Sequence, residues 1–489
     1  MNTNILLTQK SSKENDEEIN LRGEEEKLTD DKEVFQKRRI WSLQIGAAIS
    51  ASLLRLGFGA AQYWTSPALP HLKNENSEFP LTSDEASWVA SLLSFGSVIG
   101  YLLYPQFIDR IGRKYTMLLF AIPQIISWIL IFFAKNVSYL YIARFLGGLG
   151  YGASYVVQII YVGEISDKNI RGMLIILAKT SFATGALITV TLGAFLSYEK
   201  MNLILLFMPL FFILTFSFMP ESPYFYLKHS RDEDALKSLS KLRGIENKNL
   251  LELTIAEMKQ DLVNNTVSKN HSLRKLFGKK RHRRAFLIAL VAILGVIFSG
   301  AFTVVSFTQE IVSFCGFSLE PKYTTIIITS LVLISSILIS PLPDYFGRKI
   351  LILSYGLIGA LSSAMVGLIF FLKFYHQVDI SSISWIPLIA LAINNIASTV
   401  GLYGMSVILS SELFPVEVKS SAVSLLYVAN DSLLFLFKLG FQRSVDTFGI
   451  YGVFWIFAVL NFLLPLVTFS IMPETKGKTL EEVQKLIGR

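Results

Sequence analysis

The chain has 489 residues, of which 52% are hydrophobic and only 17% are charged, and its formal net charge is +8. A soluble domain of this size carries about a quarter charged residues, so the composition excludes an ordinary soluble globular protein. The single cysteine, Cys315, excludes an intramolecular disulfide. We interpret the excess positive charge as basic loops at one membrane face rather than as a nucleic-acid-binding surface.

Residues 1–36 are polar, mixed in charge and interrupted by an acidic run at 24–26. Because they offer few apolar side chains to bury, we predict a disordered cytoplasmic tail. This segment also lacks the apolar run behind basic residues that marks a cleavable signal peptide. The first membrane helix is therefore expected to direct insertion itself.

Twelve apolar segments follow, each near the 20 or so residues needed to cross the hydrocarbon core. They start near Ile40, Ala86, Tyr115, Ser138, Gly172, Asn202, Ala285, Tyr323, Ile350, Ser384, Ser420 and Tyr451. A polar stretch with amphipathic helical spacing separates the sixth from the seventh. The predicted fold is an all-α integral membrane protein with six-helix halves at 37–227 and 285–473. A cytoplasmic helical linker occupies 228–284, and 474–489 forms a cytoplasmic tail.

The distribution of basic residues predicts the orientation of these segments. Short loops after the second, fourth and eighth segments are rich in lysine and arginine, whereas the loops on the other side hold one or two basic residues each. Cytoplasmic loops carry the excess of Lys and Arg. We therefore expect both termini in the cytoplasm and a multi-pass protein of the plasma membrane, although the pattern is equally compatible with an intracellular membrane.

Three short motifs occur twice, in the same order in each half. They are D-R-I-G-R-K at Asp109–Lys114 and D-Y-F-G-R-K at Asp344–Lys349, the acid–base pairs Glu164/Arg171 and Glu412/Lys419, and P-E-S at 220–222 and P-E-T at 473–475. Three matched motifs in register predict two parallel structural repeats. A central solute site between such repeats is the arrangement expected of a transporter.

The repeated motifs, together with R-F-L-G-G at Arg144–Gly148 and P-E-T-K-G at Pro473–Gly477, resemble the signature set of the sugar-porter family of the major facilitator superfamily. The run W-T-S-P-A-L-P-H-L at Trp64–Leu72 is similar to insect facilitated trehalose transporters and their relatives. The resemblance covers residues 38 to 485. It implies a twelve-helix transporter that moves a sugar, such as trehalose or a hexose, by alternating access.

The charges of the repeated motifs are candidate gating residues. Arginine pairs with carboxylates through a planar fork, which supplies geometry as well as energy. Such pairs can hold the two halves together on the cytoplasmic side and break when that side opens. The alternative is that these charges only set topology and anchor helix ends. The predicted set is Asp109, Arg110, Arg113, Glu164, Arg171, Asp344, Arg348 and Glu412.

The candidate solute site departs from the pattern that the resemblance implies. The family's seventh helix carries Q-Q-x-S-G-x-N for sugar contacts, but the matching run at 296–302 keeps only the serine and the glycine. The family's fifth-helix glutamine falls on Lys179, its N-W pair in the eleventh helix becomes Asn430-Asp431, and its tenth-helix prolines are absent from 401–407. The predicted substrate-binding residues are Lys179, Ser299, Phe302, Asn394, Thr399, Asn430 and Asp431.

Lys179 and Asp431 form the most informative pair, because ionisable residues within a bilayer are expensive and usually functional. We expect either an ion pair across the cavity or binding of an ionic or zwitterionic solute. The alternative is that the cavity merely hydrates them. Arg55 is expected to snorkel or to line the vestibule, and Lys438 to snorkel to the interface.

The energy source is predicted from what the sequence lacks. The first segment, from Ile40 to Tyr63, holds no Asp or Glu, and no Walker-type loop is present. No cofactor motif, metal-ligand cluster or catalytic constellation is found, so we expect a uniporter rather than an enzyme, with a small solute and membrane lipid as its partners. We expect no nucleic acid and no obligate protein partner. Asp431 keeps proton coupling open.

Two alternatives to sugar transport remain open. The chain could transport a non-sugar or charged organic solute, as its altered seventh helix suggests. It could also be a non-transporting sensor on the same scaffold, because fold does not fix function. The nearly complete set of gating motifs argues against a sensor, which has no evident need for them.

Overall fold

The computed structural model describes residues 43–167, 170–244, 248–266, 272–339, 341–478 and 480–488. The predicted disordered tail at 1–36 lies outside these ranges. Within them the regular secondary structure is entirely helical, and no strand is found. This confirms the predicted all-α membrane class.

Within the described ranges, eleven continuous helices are long and apolar enough to cross a membrane. The last of them, Ser421–Ile471, contains two spans, because Gly449 adopts φ 71° and ψ 159°, which interrupts the helix and favours glycine. The twelve predicted spans are thereby accounted for. In chain order they are Leu43–Leu72, Ser83–Ile108, Arg113–Phe132, Val137–Ile165, Gly172–Phe195, Tyr198–Phe216, Lys280–Ser306, Pro321–Leu338, Arg348–Phe374, Ser381–Glu412, and spans 11 and 12 on either side of Gly449.

Spans 2 and 4 pack unusually closely because small residues line their interface. A Cβ atom added to Gly152 would lie 2.5 Å from the carbonyl oxygen of Ser97, and one added to Gly148 would lie 3.0 Å from the Cα of Gly96. In lipid, helix association depends on such close van der Waals packing rather than on the hydrophobic effect. The glycines of span 4 are therefore packing residues.

The segment between spans 6 and 7 contains four short helices, Pro223–Lys228, Asp232–Arg243, Lys248–Thr266 and Ser272–Gly278. Leu227, Leu239 and Leu251 share one small apolar cluster, and Lys259 bridges to Asp232 at 2.7 Å. The apolar faces of the first three helices thus pack on one another, whereas Leu276 of the fourth packs with the second half. Amphipathic spacing in this segment had predicted helices here.

The repeated motifs lie together at one end of the molecule, here named the basic end and defined by the loops Asp109–Lys114 and Asp344–Lys349. In the first half, Gly112 adopts φ 92° immediately before span 3. The Glu221 carboxylate accepts hydrogen bonds from the backbone N–H groups of Arg113 and Lys114, at 3.0 and 2.9 Å. A carboxylate at a helix N-terminus satisfies orphan donors and complements the helix dipole.

The second half repeats this cap. Gly347 adopts φ 86° before span 9, and Glu474 accepts from the backbone N–H groups of Arg348 and Lys349, both at 3.0 Å. The D-R-x-G-R-K and P-E-S/T motifs are therefore two parts of one device. The glycine provides the turn that precedes the helix, and a glutamate distant in sequence caps the helix N-terminus.

Candidate solute cavity and gating charges

A central cavity lies between the two halves and draws its lining from both. Spans 1, 2, 4 and 5 of the first half and spans 7, 8, 10 and 11 of the second each contribute side chains, in keeping with a site between two structural repeats. The lining residues are Arg55, Phe58, Gln62, Tyr63, Tyr101, Tyr155, Lys179, Phe182, Ala183, Ala186, Phe302, Thr329, Val332, Ser336, Thr399, Val400, Tyr403, Tyr427, Asn430, Asp431 and Leu434.

Five of the predicted binding residues reach this cavity: Lys179, Phe302, Thr399, Asn430 and Asp431. They come from four different spans, so the fold gathers residues that are far apart in sequence. Thr399 sits on a π-helical segment, Ile396–Leu402, inside span 10. π-Helical turns are frequent at functional sites. Here the turn occupies the helix in which the family's prolines are missing.

Two predicted binding residues, Ser299 and Asn394, do not line the cavity. The hydroxyl of Ser299 is fully buried and donates to the carbonyl oxygen of Val296 at 2.7 Å. Asn394 is 1% exposed, and its Oδ1 accepts from Ser363 of span 9 at 3.2 Å. Both side chains therefore form hydrogen bonds within or between helices. The prediction that they contact solute is not met in this conformation, because neither faces the cavity.

Asp431 is 4% exposed, and its two carboxylate oxygens have different environments. Oδ1 accepts a hydrogen bond from the Asn430 side chain at 3.0 Å. Oδ2 is buried and makes no hydrogen bond of normal geometry among the described residues. The Tyr101 hydroxyl is the group beside this carboxylate. Leaving a buried charged acceptor unsatisfied is costly. Oδ2 is thus an acceptor available to a solute hydroxyl.

Lys179 faces the same cavity from span 5 but does not pair with Asp431. Its Nζ lies 3.6 Å from the position that a Cβ of Gly404 would occupy, so the amine reaches span 10 of the opposite half. No carboxylate in the described ranges lies within 4.0 Å of it. The expected Lys179–Asp431 ion pair is therefore not formed in this conformation, because the two charges are directed to different neighbours.

Arg55 and a group of tyrosines form the rest of the polar wall. The Arg55 guanidinium donates to Gln158 at 3.0 Å and lies 4.1 Å from the ring centroid of Tyr155. The rings of Tyr101 and Tyr427 stack at 5.7 Å. No sequence pattern distinguishes these tyrosines, because aromatic residues at helical spacing occur in any membrane helix. Apolar faces with a few placed polar groups are typical of small-solute sites.

The candidate gating charges pair within each half. Arg113 bridges to Glu164 at 2.7 Å, and Ser222 also donates to that carboxylate. Lys228 bridges to Asp109 at 2.5 Å. The partners are neighbours because the end of span 4 packs beside the start of span 3.

The second half repeats this arrangement. Arg348 bridges to Glu412 at 2.9 Å and to Asp344 at 3.1 Å, and Thr475 donates to Glu412 at 2.6 Å. The expectation that such pairs bridge the two halves is thus incorrect for this conformation. The side chain of Arg110 is exposed, and that of Arg171 lies outside the described part of the structure.

The two halves touch through other groups at the end opposite the basic end, here named the far end and defined by Lys73 and Glu310. The Lys73 amine lies 3.0 and 3.1 Å from the two carboxylate oxygens of Glu310. Deeper in, Lys438 donates to Gln62 at 3.1 Å. Lys438 is fully buried, so the expectation that it snorkels to the interface is wrong.

The family model for sugar (and other) transporters matches residues 48–487 of the chain. This chain belongs to the sugar (and other) transporter family. It is 28% identical over 455 residues to the facilitated trehalose transporter Tret1 of Apis mellifera ligustica, covering 93% of this chain and 90% of that protein. It is 30% identical to Tret1 of Drosophila virilis over 456 residues, but spans only 49% of that longer relative.

Solved structures establish the fold of this family member. The inward open xylose transporter XylE from E. coli superposes with a TM-score of 0.75 at 21% identity, covering 91% of this chain and 99% of XylE. XylE bound to 6-bromo-6-deoxy-D-glucose gives a TM-score of 0.72 at 22% identity, over 91% and 99% of the two chains. These matches confirm the predicted major facilitator fold.

Proposed function

We propose that this protein is a facilitative transporter that moves a sugar, such as trehalose or a hexose, across a membrane by alternating access. The observation that carries the proposal is the central cavity, built from four spans of each half and lined with hydrogen-bonding groups. Membership of the sugar transporter family and the similarity to trehalose transporters support the choice of solute.

We propose that charged and hydroxyl side chains replace the missing amides of the sugar site. Oδ2 of Asp431 accepts from a sugar hydroxyl, while Lys179 and Asn430 supply donors on other walls. The Thr399 hydroxyl already donates to the carbonyl oxygen of Asn395 at 2.6 Å, so it is proposed to accept from the sugar. Phe302 supplies an apolar face. Each buried sugar hydroxyl left without a partner would weaken binding by about 1–3 kcal/mol, so such replacements are required for useful affinity.

The two halves, 37–227 and 285–473, are proposed to rock about this cavity as rigid units. Ion pairs within each half support this, because they fix helix ends without linking the halves at the basic end. The gating charges then act by keeping each half rigid. The linker 228–284 and the tail 474–489 are proposed to lie with the basic end in the cytoplasm, and the protein in the plasma membrane.

Energy coupling is proposed to be absent. Span 1, from Leu43 to Leu72, contains no carboxylate, and the cavity carboxylate of Asp431 is proposed to bind the solute rather than a coupling proton. The solute would then move down its own gradient. Saturation with solute, but no dependence on a proton gradient, is the kinetic signature of such a uniporter.

Uptake into oocytes that express the protein, with surface expression measured, tests this function. Labelled trehalose and glucose are offered separately, with and without a proton gradient. We expect saturable uptake of at least one sugar, unaffected by the gradient. Absence of uptake of both sugars at full surface expression would refute the proposal. Gradient-dependent uptake would retain the sugar and refute uniport.

A charged solute is the second candidate function, favoured by one observation. Lys179 and Asp431 place opposite charges in one cavity, with no ion pair formed between them. The same uptake assay separates the candidates. In those oocytes, labelled glucuronate and labelled glycine are also offered directly. Saturable uptake of either one, without uptake of trehalose or glucose, would favour the charged solute.

A further inference from the structure

An ion pair joins the two halves at the far end of the molecule. Lys73 follows the last residue of span 1, and Glu310 lies in the helix Thr308–Phe314 that follows span 7. Both carboxylate oxygens contact the amine, at 3.0 and 3.1 Å, and the two side chains are 21% and 27% exposed. The pair is therefore well formed and partly shielded from water. Solvent and salt screen such a pair less than they screen a fully exposed one.

Two further layers close the far end beneath this pair. Tyr63, Ala186 and Val190 of the first half pack with Val305 of the second, and all four are at most 4% exposed. The buried Lys438–Gln62 hydrogen bond forms the other layer, and Gln62, Tyr63 and Ala186 all line the cavity. Each layer joins the halves, so the cavity cannot open at the far end unless all three separate.

The halves meet differently at the basic end. Tyr104 of span 2 and Ser424 of span 11 share a hydroxyl hydrogen bond at 3.0 Å. On the cavity wall, Tyr155 shares one with Tyr403 at 2.9 Å. These contacts join neutral groups. Hydrogen bonds between charged partners are about twice as strong as neutral ones. The far end thus includes an ion pair between the halves, whereas the hydrogen bond between the halves at the basic end joins neutral groups.

We propose that the Lys73–Glu310 ion pair is the latch of the far-end gate, and that it biases the transporter towards conformations closed at the far end. This inference rests on the proposed function, because it assumes that the cavity opens to each side in turn. When only a fraction of molecules is open to one side, the apparent affinity from that side is reduced by that fraction. The latch therefore weakens apparent binding from the far end.

The Glu310→Gln variant tests the latch because it removes the charge and preserves the side-chain shape. We expect the apparent KM for sugar added at the far end to fall about two- to fivefold, and the KM for sugar added at the basic end to rise. A uniporter cannot change the overall equilibrium. The ratio of Vmax to KM must therefore remain equal in the two directions.

A matched control distinguishes the latch from any nearby charge. Glu320 lines a surface pocket together with Lys73 and Glu310, but it pairs with Lys322 of its own half, at 2.6 Å. Glu320→Gln should leave both KM values unchanged, and exchanging the charges as Lys73→Glu with Glu310→Lys should restore them towards wild type. Equal shifts in the two Gln variants, or a lower Vmax with neither KM moved, would overturn the proposal.

A second readout needs no sugar. In a Cys315→Ser background, Ala186→Cys places a thiol in the apolar layer beneath the latch, and an impermeant maleimide reports its exposure at the far end. We expect Glu310→Gln to raise the labelling rate about two- to fivefold. If Glu310→Gln speeds labelling but the wild-type protein takes up no sugar, the proposed solute is refuted and the latch is retained. Sugar uptake with unchanged labelling and KM values would refute the latch alone.

Discussion

Asp431 shows at the level of a single residue how the cavity differs from an ordinary helix interior. A carboxylate within a membrane span is expensive, and one of its oxygens makes no hydrogen bond of normal geometry within the described ranges. Its neighbour Asn430 satisfies only the other oxygen. A solute hydroxyl in the cavity can supply the hydrogen bond that this oxygen lacks. The desolvation free energy that the carboxylate costs in the empty state is then recovered on binding.

We predict that Asp431→Asn raises the apparent KM for sugar about tenfold or more. A hydrogen bond to a charged group contributes about 1.5–3 kcal/mol, and the amide has no charge to offer. Zero-trans uptake, normalised to surface expression, measures the change. Ser299→Ala is the matched control, because that hydroxyl bonds to its own helix. An equal rise in the control would show that the cavity assignment is wrong.

Ionisable residues were visible to sequence analysis because charges stand out in apolar spans, which is why Lys179 and Asp431 were identified. Ser299 and Asn394 were assigned to the site incorrectly. A serine that bonds to a carbonyl of its own helix has the same sequence pattern as one that faces a solute. The cavity tyrosines, such as Tyr101 and Tyr427, were missed because a tyrosine that faces the cavity has the same sequence pattern as one that faces lipid or another helix. Which face of a helix lines the cavity depends on packing between spans.

The caps of spans 3 and 9 are the main devices at the level of helices. Repeated motifs predicted that the two halves are related, but their shared role as a cap depends on bringing Glu221 and Glu474 to helices about a hundred residues earlier in sequence. No local pattern encodes that contact. The same limit explains the gating charges, since their sequence spacing did not reveal that Arg113 and Arg348 each pair within their own half.

Glu474 gives this device a pH dependence. Burial alone would raise the pKa of its carboxyl, but the backbone N–H groups of Lys476, Arg348, Lys349 and Thr475 donate to it and hold its pKa below the usual value. A carboxyl whose pKa is lowered by folding contributes stability above its unfolded pKa. That contribution is lost as the pH falls through the folded pKa, which lies below the ordinary glutamate value of about 4.3.

We predict that Glu474→Gln lowers the thermal midpoint of the detergent-purified protein by about 2–4 °C at pH 7, as expected for loss of a helix cap. The difference from wild type should shrink as the pH falls below about 4, because the wild-type carboxyl is then protonated. Paired melting curves at several pH values measure this. Glu257→Gln, at an exposed position in the linker, should match wild type throughout. A pH-independent difference for Glu474→Gln would contradict the titration argument.

At the level of the whole molecule, contacts of unequal kind join the two halves at the two ends. Hydrophobic runs were sufficient to predict twelve spans and two halves, because each span must satisfy its own backbone in lipid. They could not predict which contacts join the halves. Tyr104 and Ser424 lie in spans 2 and 11, and their partnership depends on how one half rests against the other.

Removing the basic-end contact should raise the population of molecules open at the basic end, whereas Glu310→Gln should raise the population open at the far end. We predict that Tyr104→Phe raises the apparent KM for sugar added at the far end, and lowers it at the basic end, by about two- to fivefold. The lost hydrogen bond joins neutral groups and is worth about 1 kcal/mol. Influx and efflux measured under zero-trans conditions give both values.

Ser424→Ala should produce the same shift as Tyr104→Phe, and the double variant should shift no further, because both changes remove one shared bond. Tyr345→Phe, at an exposed tyrosine of the basic end, should leave both KM values unchanged. Additive shifts in the double variant would mean that the two hydroxyls act independently. Combining Tyr104→Phe with Glu310→Gln should return both KM values towards wild type, because the population shift at one end is offset by that at the other.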